Sequence, residues 1–234
     1  GDTNGFRAAF LVMALMPLLT WFWVRHTQEL PPVQQSAGST QAKVWDLLRE
    51  PQMRRLLLVN WLLSSCWDVH TFVVPMLGHE RGFSASVIGT ILGSMAVSGA
   101  FVRLVMPLVA AHLREWAVIT GAMVMTAVLF AIYPLMVSPW TMGICSVLLG
   151  LSLGSVQPMI LSTLHQITPH ALHGQAIGLR LMTLNLSSVL MPMLFGTAGL
   201  VVGVSVVFWT VGAMVGAGAR VAWRLRPLAP QRPD

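Results

Sequence analysis

The chain has 234 residues, of which 55% are hydrophobic and only 9% charged, and its mean hydropathy is +0.72. A water-soluble domain carries about 25% charged residues, so this chain cannot cover a water-facing surface, and its apolar residues fall in blocks near the ~20 that cross a bilayer. The excess of 14 Lys plus Arg over 8 Asp plus Glu would point to nucleic acid in a soluble protein; in a membrane chain it reports topology, and nucleic acid is not an expected partner.

Seven spans are predicted, at about 5–24, 56–77, 87–111, 117–137, 141–163, 176–196 and 200–222. The fold class is therefore all-α and integral to the membrane. The first apolar run lacks a basic leader and a small-residue cleavage site, so it is not a signal peptide. The chain opens Gly-Asp-Thr-Asn-Gly, which reads as a piece of a longer protein.

One connection is long. Residues 25–55, RHTQELPPVQQSAGSTQAKVWDLLREPQMRR, begin as a Pro/Ser/Gln-rich linker. They end in VWDLLREPQMRR, where Val44, Leu47 and Leu48 alternate with charges as in a short amphipathic helix at the membrane surface.

Arg25, Lys43, Arg49, Arg54 and Arg55 lie in this loop, Arg114 in a connection on the same side, and Arg220, Arg224, Arg226 and Arg232 toward the tail. Arg7 and Arg81 lie opposite. Basic residues collect on the cytoplasmic side, which places the long loop and the C-terminus there. The expected location is the cell membrane, on the pattern of a bacterial inner-membrane protein.

Small residues recur at four-residue spacing at Gly89 and Gly93, at Ser146, Gly150 and Gly154, and at Gly212 and Gly216, a pattern that lets helix backbones approach closely in lipid. Pro17, Pro107, Pro158 and Pro192 fall inside spans, and Pro75 and Pro134 nearer span ends. Cys66 and Cys145 form no CxxC pair and read as small core residues.

One span, a long cytoplasmic loop and six closely connected spans form an arrangement that resembles the major facilitator superfamily of secondary transporters. Two stretches are similar to that family locally. GFSASVIGTILGSMAVSGAFVRLVMPLVAAHLREW (82–116) looks like its outer loop and Gly-rich helix with an Arg near the inner end. LGLSLGSVQPMILSTLHQITPHALHGQAIGLRLMTLNLSSVLMPMLFGTAG (149–199) looks like its tenth and eleventh helices.

The resemblance implies that residues 1–27 are the last helix of a missing N-terminal half. Residues 28–55 would be the loop between halves, 56–222 a six-helix C-terminal half and 223–234 a basic cytoplasmic tail. The family's Gly-x-x-x-Asp-Arg loop is not found here. Its place is taken by PLVAAHLREW (107–116), where Arg114 and Glu115 are the only charges. Inverted three-helix repeats would relate 56–137 to 141–222, but the two blocks match in length and not in sequence.

The chemistry centres on LLSSCWDVHTFVV (62–74). At about 100° per residue, Asn60, Ser64, Asp68, Thr71 and Pro75 share one face. A polar stripe inside the membrane belongs against the bundle interior or a watery cavity. At about 1.5 Å per residue, Asp68 lies roughly 18 Å from Leu56, near the midplane, where transporter sites are found.

Asp68 is the proton-coupling candidate, with contact to a cationic solute as the other functional reading. An Asp that only fixes helix packing, against Ser64 and Thr71, is the structural alternative. His70 lies about 200° away and reads as a packed or interfacial histidine.

Asn60, Ser64 and Thr71 are cavity candidates, joined on the family resemblance by Gln157 and Asn185. Arg103, Arg114 and Arg180 are candidates for inner-gate charges or snorkelling anchors, with an anion contact as the further alternative for Arg103 and Arg180. Arg180, Thr183 and Ser187 share a face. His165, His170 and His173 have no carboxylate or thiol beside them, so no metal site is expected.

A retinal protein is excluded because Lys43, the only lysine, lies in the linker. An intramembrane aspartyl protease needs two membrane aspartates, and a rhomboid-like protease needs Gly-x-Ser-Gly where this chain has Ala96-Val97-Ser98-Gly99. No enzyme activity is expected. The expected function is proton-coupled movement or efflux of a small organic solute by alternating access. The partners are the solute, the bilayer and the missing half, with no cofactor besides the proton gradient. A seven-helix receptor or a non-transporting helical membrane protein is the alternative.

Overall fold

The structure, a computed structural model, describes residues 3–25, 44–109 and 113–226. The Pro/Ser/Gln-rich linker with Lys43, residues 110–112 and the end of the tail with Arg232 lie outside the described residues. The chain divides into two compact units, Gly1–Gln41 and Ala42–Asp234. The first carries helix α1 (Thr3–Val24), with Pro17 inside it. Its large apolar side chains from Phe10 to Val24 are exposed on every face, which suits a helix surrounded by lipid or by a partner.

The second unit begins with a short helix, α2 (Val44–Arg49). Sequence periodicity extends this element to Arg55, but Pro51 ends it early. Proline fits the first position of a helix, where an N–H has no intrahelical partner, and so it starts the long helix α3 (Pro51–Glu80). Trp45 is exposed, whereas Leu47 is buried as α2 packs on α3 and α7. The apolar side of α2 therefore meets protein. Pro75 lies well inside α3 because the helix runs on to Glu80.

Five more helices follow: α4 (Ala85–Val109), α5 (Glu115–Ile132), α6 (Pro139–Ile167), α7 (His173–Val202) and α8 (Val204–Trp223). A 3-10 turn at Tyr133–Leu135 extends α5, and another at His170–Leu172 precedes α7. Among the described residues, six helices are long and apolar enough to cross a membrane, and Phe10–Val24 is a shorter apolar stretch.

The connections are tight. Gly82 has φ +72°, the left-handed conformation that closes a helix C-terminus, and Phe83 N–H bonds the Gly78 carbonyl at 2.9 Å. Arg81 donates to the carbonyls of Met136 and Pro134, the latter at 2.6 Å. It thereby ties the end of α3 to the α5–α6 connection.

Helix pairing carries the repeat that residue identities do not. The main partners are α4 with α6, α5 with α8 and α6, and α3 with α7 and α8. Exchanging the block α3–α4–α5 for α6–α7–α8 maps α3·α7 onto α6·α4 and α5·α6 onto α8·α3. The α5·α8 pair maps onto itself. This is the pairing of an inverted repeat.

The crossings differ in chemistry. At α4–α6 a Cβ on Gly154 would lie 2.7 Å from the Gly99 carbonyl oxygen and 2.9 Å from its Cα, so backbone meets backbone. Between α5 and α8, Phe208 lies against Phe130 and Tyr133, with ring centroids 5.2 and 4.9 Å away. Cys66 and Cys145 are buried free thiols within this core.

Candidate functional site

Helix α3 packs against α7, α8 and α6, which encloses its apolar face and part of its polar one, while Thr71 and Phe72 stay exposed. Leu62, Leu63, Cys66, Val69 and Val73 are in the core. The polar stripe runs from fully buried Asn60 through half-buried Ser64 and Asp68 to exposed Thr71. Asn60 and Asp68 meet side chains of α7, Ser64 lines a cleft, and the Thr71 hydroxyl donates to the Trp67 carbonyl of its own helix at 2.9 Å.

Asp68 is held by α7. Ser187 Oγ donates to Oδ2 at 2.8 Å, and Ser188 Oγ donates to Oδ1 at 3.3 Å. Among the described residues the hydroxyls found on the carboxylate are those of Ser187 and Ser188, and that of Thr71 is spent on its own backbone. Behind Ser187 lies Ser65, with the two hydroxyl oxygens 3.2 Å apart. Ser65 also donates to the Trp61 carbonyl at 2.8 Å. A hydroxyl has one proton, so with Ser187 donating to Asp68 and Ser65 to Trp61, the Ser65–Ser187 approach holds no proton of its own.

A second node lies toward the end of α3 that carries Arg54 and Arg55. Arg180 of α7 donates from Nε to Asn60 Oδ1 at 3.3 Å and from Nη2 to Gln157 Oε1 of α6. Gln157 also lines a cleft of about 270 Å³ together with Leu63, Ser64, Trp67, Arg103 and Leu153. The Arg103 guanidinium stands 5.3 Å from the centroid of the Trp67 ring, within cation–π range. Asn60, Ser64, Gln157, Arg103 and Arg180 are thus brought to one region. Asn185 lies exposed on α7, and Arg114 is exposed at the start of α5.

His70 belongs to a separate buried cluster. Its Nε2 and the Tyr133 hydroxyl each lie 2.9 Å from Ser146 Oγ, and the His70 and Tyr133 rings meet edge to face at 5.5 Å. In the α6–α7 connection, His173 stacks on His165 and tilts against His170, both at 4.9 Å between centroids. Among the described residues no group of three or more His, Cys, Asp or Glu is arranged to hold a metal ion.

Sequence reasoning missed Ser188, Ser65 and Trp67. It placed Ser187 on the face of Arg180 but did not tie it to Asp68. The available signal was the serine pair in LNLSSVL, two hydroxyls together in an apolar span.

A bundle of six membrane-length helices paired as an inverted repeat, with charged groups between them, is the architecture of a secondary transporter unit. The family model described as Major Facilitator Superfamily matches residues 1–192 and, in an overlapping stretch, residues 56–234. The chain belongs to that superfamily, whose members are transporters and not enzymes. No curated protein matches it.

Proposed function

We propose that the chain supplies the C-terminal half of a proton-coupled transporter that exports a small organic solute by alternating access, with Asp68 as the proton site. The observation that carries this reading is the setting of Asp68. It is an acidic side chain in the middle of a span, held by two hydroxyls and, among the described residues, not ion-paired with a cation.

That setting satisfies both protonation states. Ionised, the carboxylate accepts from Ser187 and Ser188. Protonated, its O–H donates to Ser187 Oγ, and Ser187 turns its own proton to Ser65, 3.2 Å away. Serine hydroxyls rotate to suit either role. Charge at the α3–α7 crossing can therefore change without either helix losing its partner, as a reversible proton carrier requires.

Residues 1–27 then read as the last helix of the N-terminal half and 28–55 as the loop between halves. Support comes from the second family match, which coincides with the six-helix unit. The low burial of α4 and α7, 22% and 11% of their apolar windows, also leaves two faces for the other half. The basic-residue count supports a cytoplasmic C-terminus in the cell membrane. The bilayer and the missing half are the partners, and the proton gradient is the energy source.

The test uses the full transporter that contains this chain, reconstituted in vesicles under an imposed pH gradient. Asp68→Asn keeps an acceptor and a donor but fixes the neutral state. It is expected to retain solute counterflow while losing gradient-driven movement. Unchanged gradient-driven transport by Asp68→Asn refutes the proton role.

A further inference from the structure

The node at Arg180 has more donors than acceptors. A guanidinium carries five N–H donors and a permanent charge. Arg180 has turned two of its donors to the neutral amide oxygens of Asn60 and Gln157. Asn60 is fully buried, and its Nδ2 has no hydrogen-bond partner. Arg103 presents its charge to the Trp67 ring at the edge of the same cleft.

Among the described residues neither arginine is ion-paired with a carboxylate, and Asp68 is engaged by Ser187 and Ser188. Charge inside a membrane bundle is costly and normally finds a counter-charge or water. A buried donor without an acceptor is costly for the same reason. The Arg103 guanidinium on the cleft wall, the Arg180 guanidinium behind Gln157 and the orphaned amide N–H beside it are together short of a single species, an oxyanion.

The walls of the cleft narrow the choice. Leu63 and Leu153 are buried apolar side chains, and Trp67 offers an aromatic face. A bare inorganic anion would leave these surfaces unused. The volume of about 270 Å³ sits just under the ~300 Å³ lower end of small-molecule sites, room for a compact organic anion.

We propose that the cleft between α3, α4 and α6, with Arg180 behind it, is the subsite for the carboxylate or comparable oxyanion head of the transported solute. Gln157, its Oε1 held by Arg180, gives its amide N–H to the head with the Arg180 charge behind it, Arg103 attracts the head at the mouth, and Trp67 with the two leucines contacts its apolar part. This rests on the transporter reading and deepens it by naming the charge of the solute.

The experiment measures equilibrium binding of radiolabelled benzoate to the full transporter that contains this chain, in lipid nanodiscs, with benzyl alcohol and benzylamine as neutral and cationic competitors. Saturable binding that neither competitor displaces is expected. Arg180→Gln, which removes the charge behind Gln157 and frees its amide to turn, is expected to weaken it about tenfold. Exposed Arg103→Gln, which removes the mouth charge without touching the buried node, is expected to weaken it less but measurably. Arg220→Gln on α8, which removes a positive charge elsewhere, is the control and leaves binding unchanged.

Thermal unfolding of each variant checks its fold; if Arg180→Gln fails to fold, Arg103→Gln decides. Absence of saturable benzoate binding overturns the assignment. So does equal displacement by benzyl alcohol or benzylamine, or benzoate affinity indifferent to both arginine substitutions. No pH gradient enters this measurement, so its failure and the failure of the Asp68 coupling test are separate results.

Discussion

Three pairs or series of small residues share one spacing in the sequence, yet their surroundings assign them opposite effects. At Gly150 an added Cβ would strike the Met95 carbonyl oxygen and Ser98 Oγ and lie 3.1 Å from the Gly99 nitrogen. At Gly154 it would strike Val102 Cγ1 at 2.5 Å and the backbone of Gly99 at 2.7 and 2.9 Å. Backbone atoms of a packed helix cannot step aside individually, so α4 and α6 must separate along their crossing.

Overpacking of this kind costs about 1–3 kcal/mol, with further loss of dispersion contacts along the seam. At Gly93 nothing lies within 4 Å of the same Cβ, and replacing glycine by alanine inside a helix gains up to about 1 kcal/mol. Gly150→Ala and Gly154→Ala should therefore lower the midpoint of thermal unfolding in detergent, and Gly93→Ala should hold or raise it. Equal effects at the three positions, or a stable Gly154→Ala, would refute the close approach of α4 and α6.

Two further outcomes follow from the polar contacts. His70→Ala removes the Ser146 contact and the edge of the Tyr133 ring, and is expected to cost about 1–3 kcal/mol while sparing pH-gradient-driven transport; loss of gradient drive at full stability would move the proton role to His70. Arg81→Gln frees the carbonyls of Pro134 and Met136 and is expected to cost about 1.5–3 kcal/mol. Denaturation by sodium dodecyl sulfate reads it, and an unchanged midpoint would mean that this tie contributes nothing.

The spans were legible because lipid demands long apolar blocks, and Asp68 stood out because a carboxylate interrupts one of them. The α7 face of Arg180 and Ser187 was legible from helical period alone. What period cannot supply is the neighbouring helix. Asp68 is bonded by serines 119 and 120 positions away, and nothing local selects them over Ser64 and Thr71. His70 shows the limit from the other side. Helix α3 packs against several neighbours, so a residue opposite the polar stripe still meets polar partners, here Ser146 of α6 and Tyr133 after α5. Gly89 and Gly93 matched the close-packing pattern but face open space, because spacing reports that an approach is allowed and not that a helix is there.

The inverted pairing makes the α4–α6 and α3–α7 crossings equivalent, and their difference yields a last prediction. At α4–α6 the contact is glycine backbone without a hydroxyl bridge, and any change of side-chain volume is felt. At α3–α7 the contact is a chain of hydroxyls ending on Asp68. Interhelical hydrogen bonds in membrane bundles average only about 0.6 kcal/mol, so Ser187→Ala, which adds no volume, should cost far less stability than Gly154→Ala.

Its effect on coupling should be larger. Without Ser187, the protonated carboxyl has lost the acceptor that passes its hydrogen bond on to Ser65, and the two charge states of Asp68 are no longer equally accommodated. Ser187→Ala is therefore expected to unfold within about 1 kcal/mol of the unmodified protein while changing the pH dependence of gradient-driven transport. Ser65→Ala should produce the same kind of change, weaker because it lies one hydroxyl further from the carboxylate. A Ser187→Ala protein whose transport follows pH unchanged would mean that the hydroxyl chain merely packs α3 on α7, and the case for Asp68 as a reversible carrier would lose its physical basis.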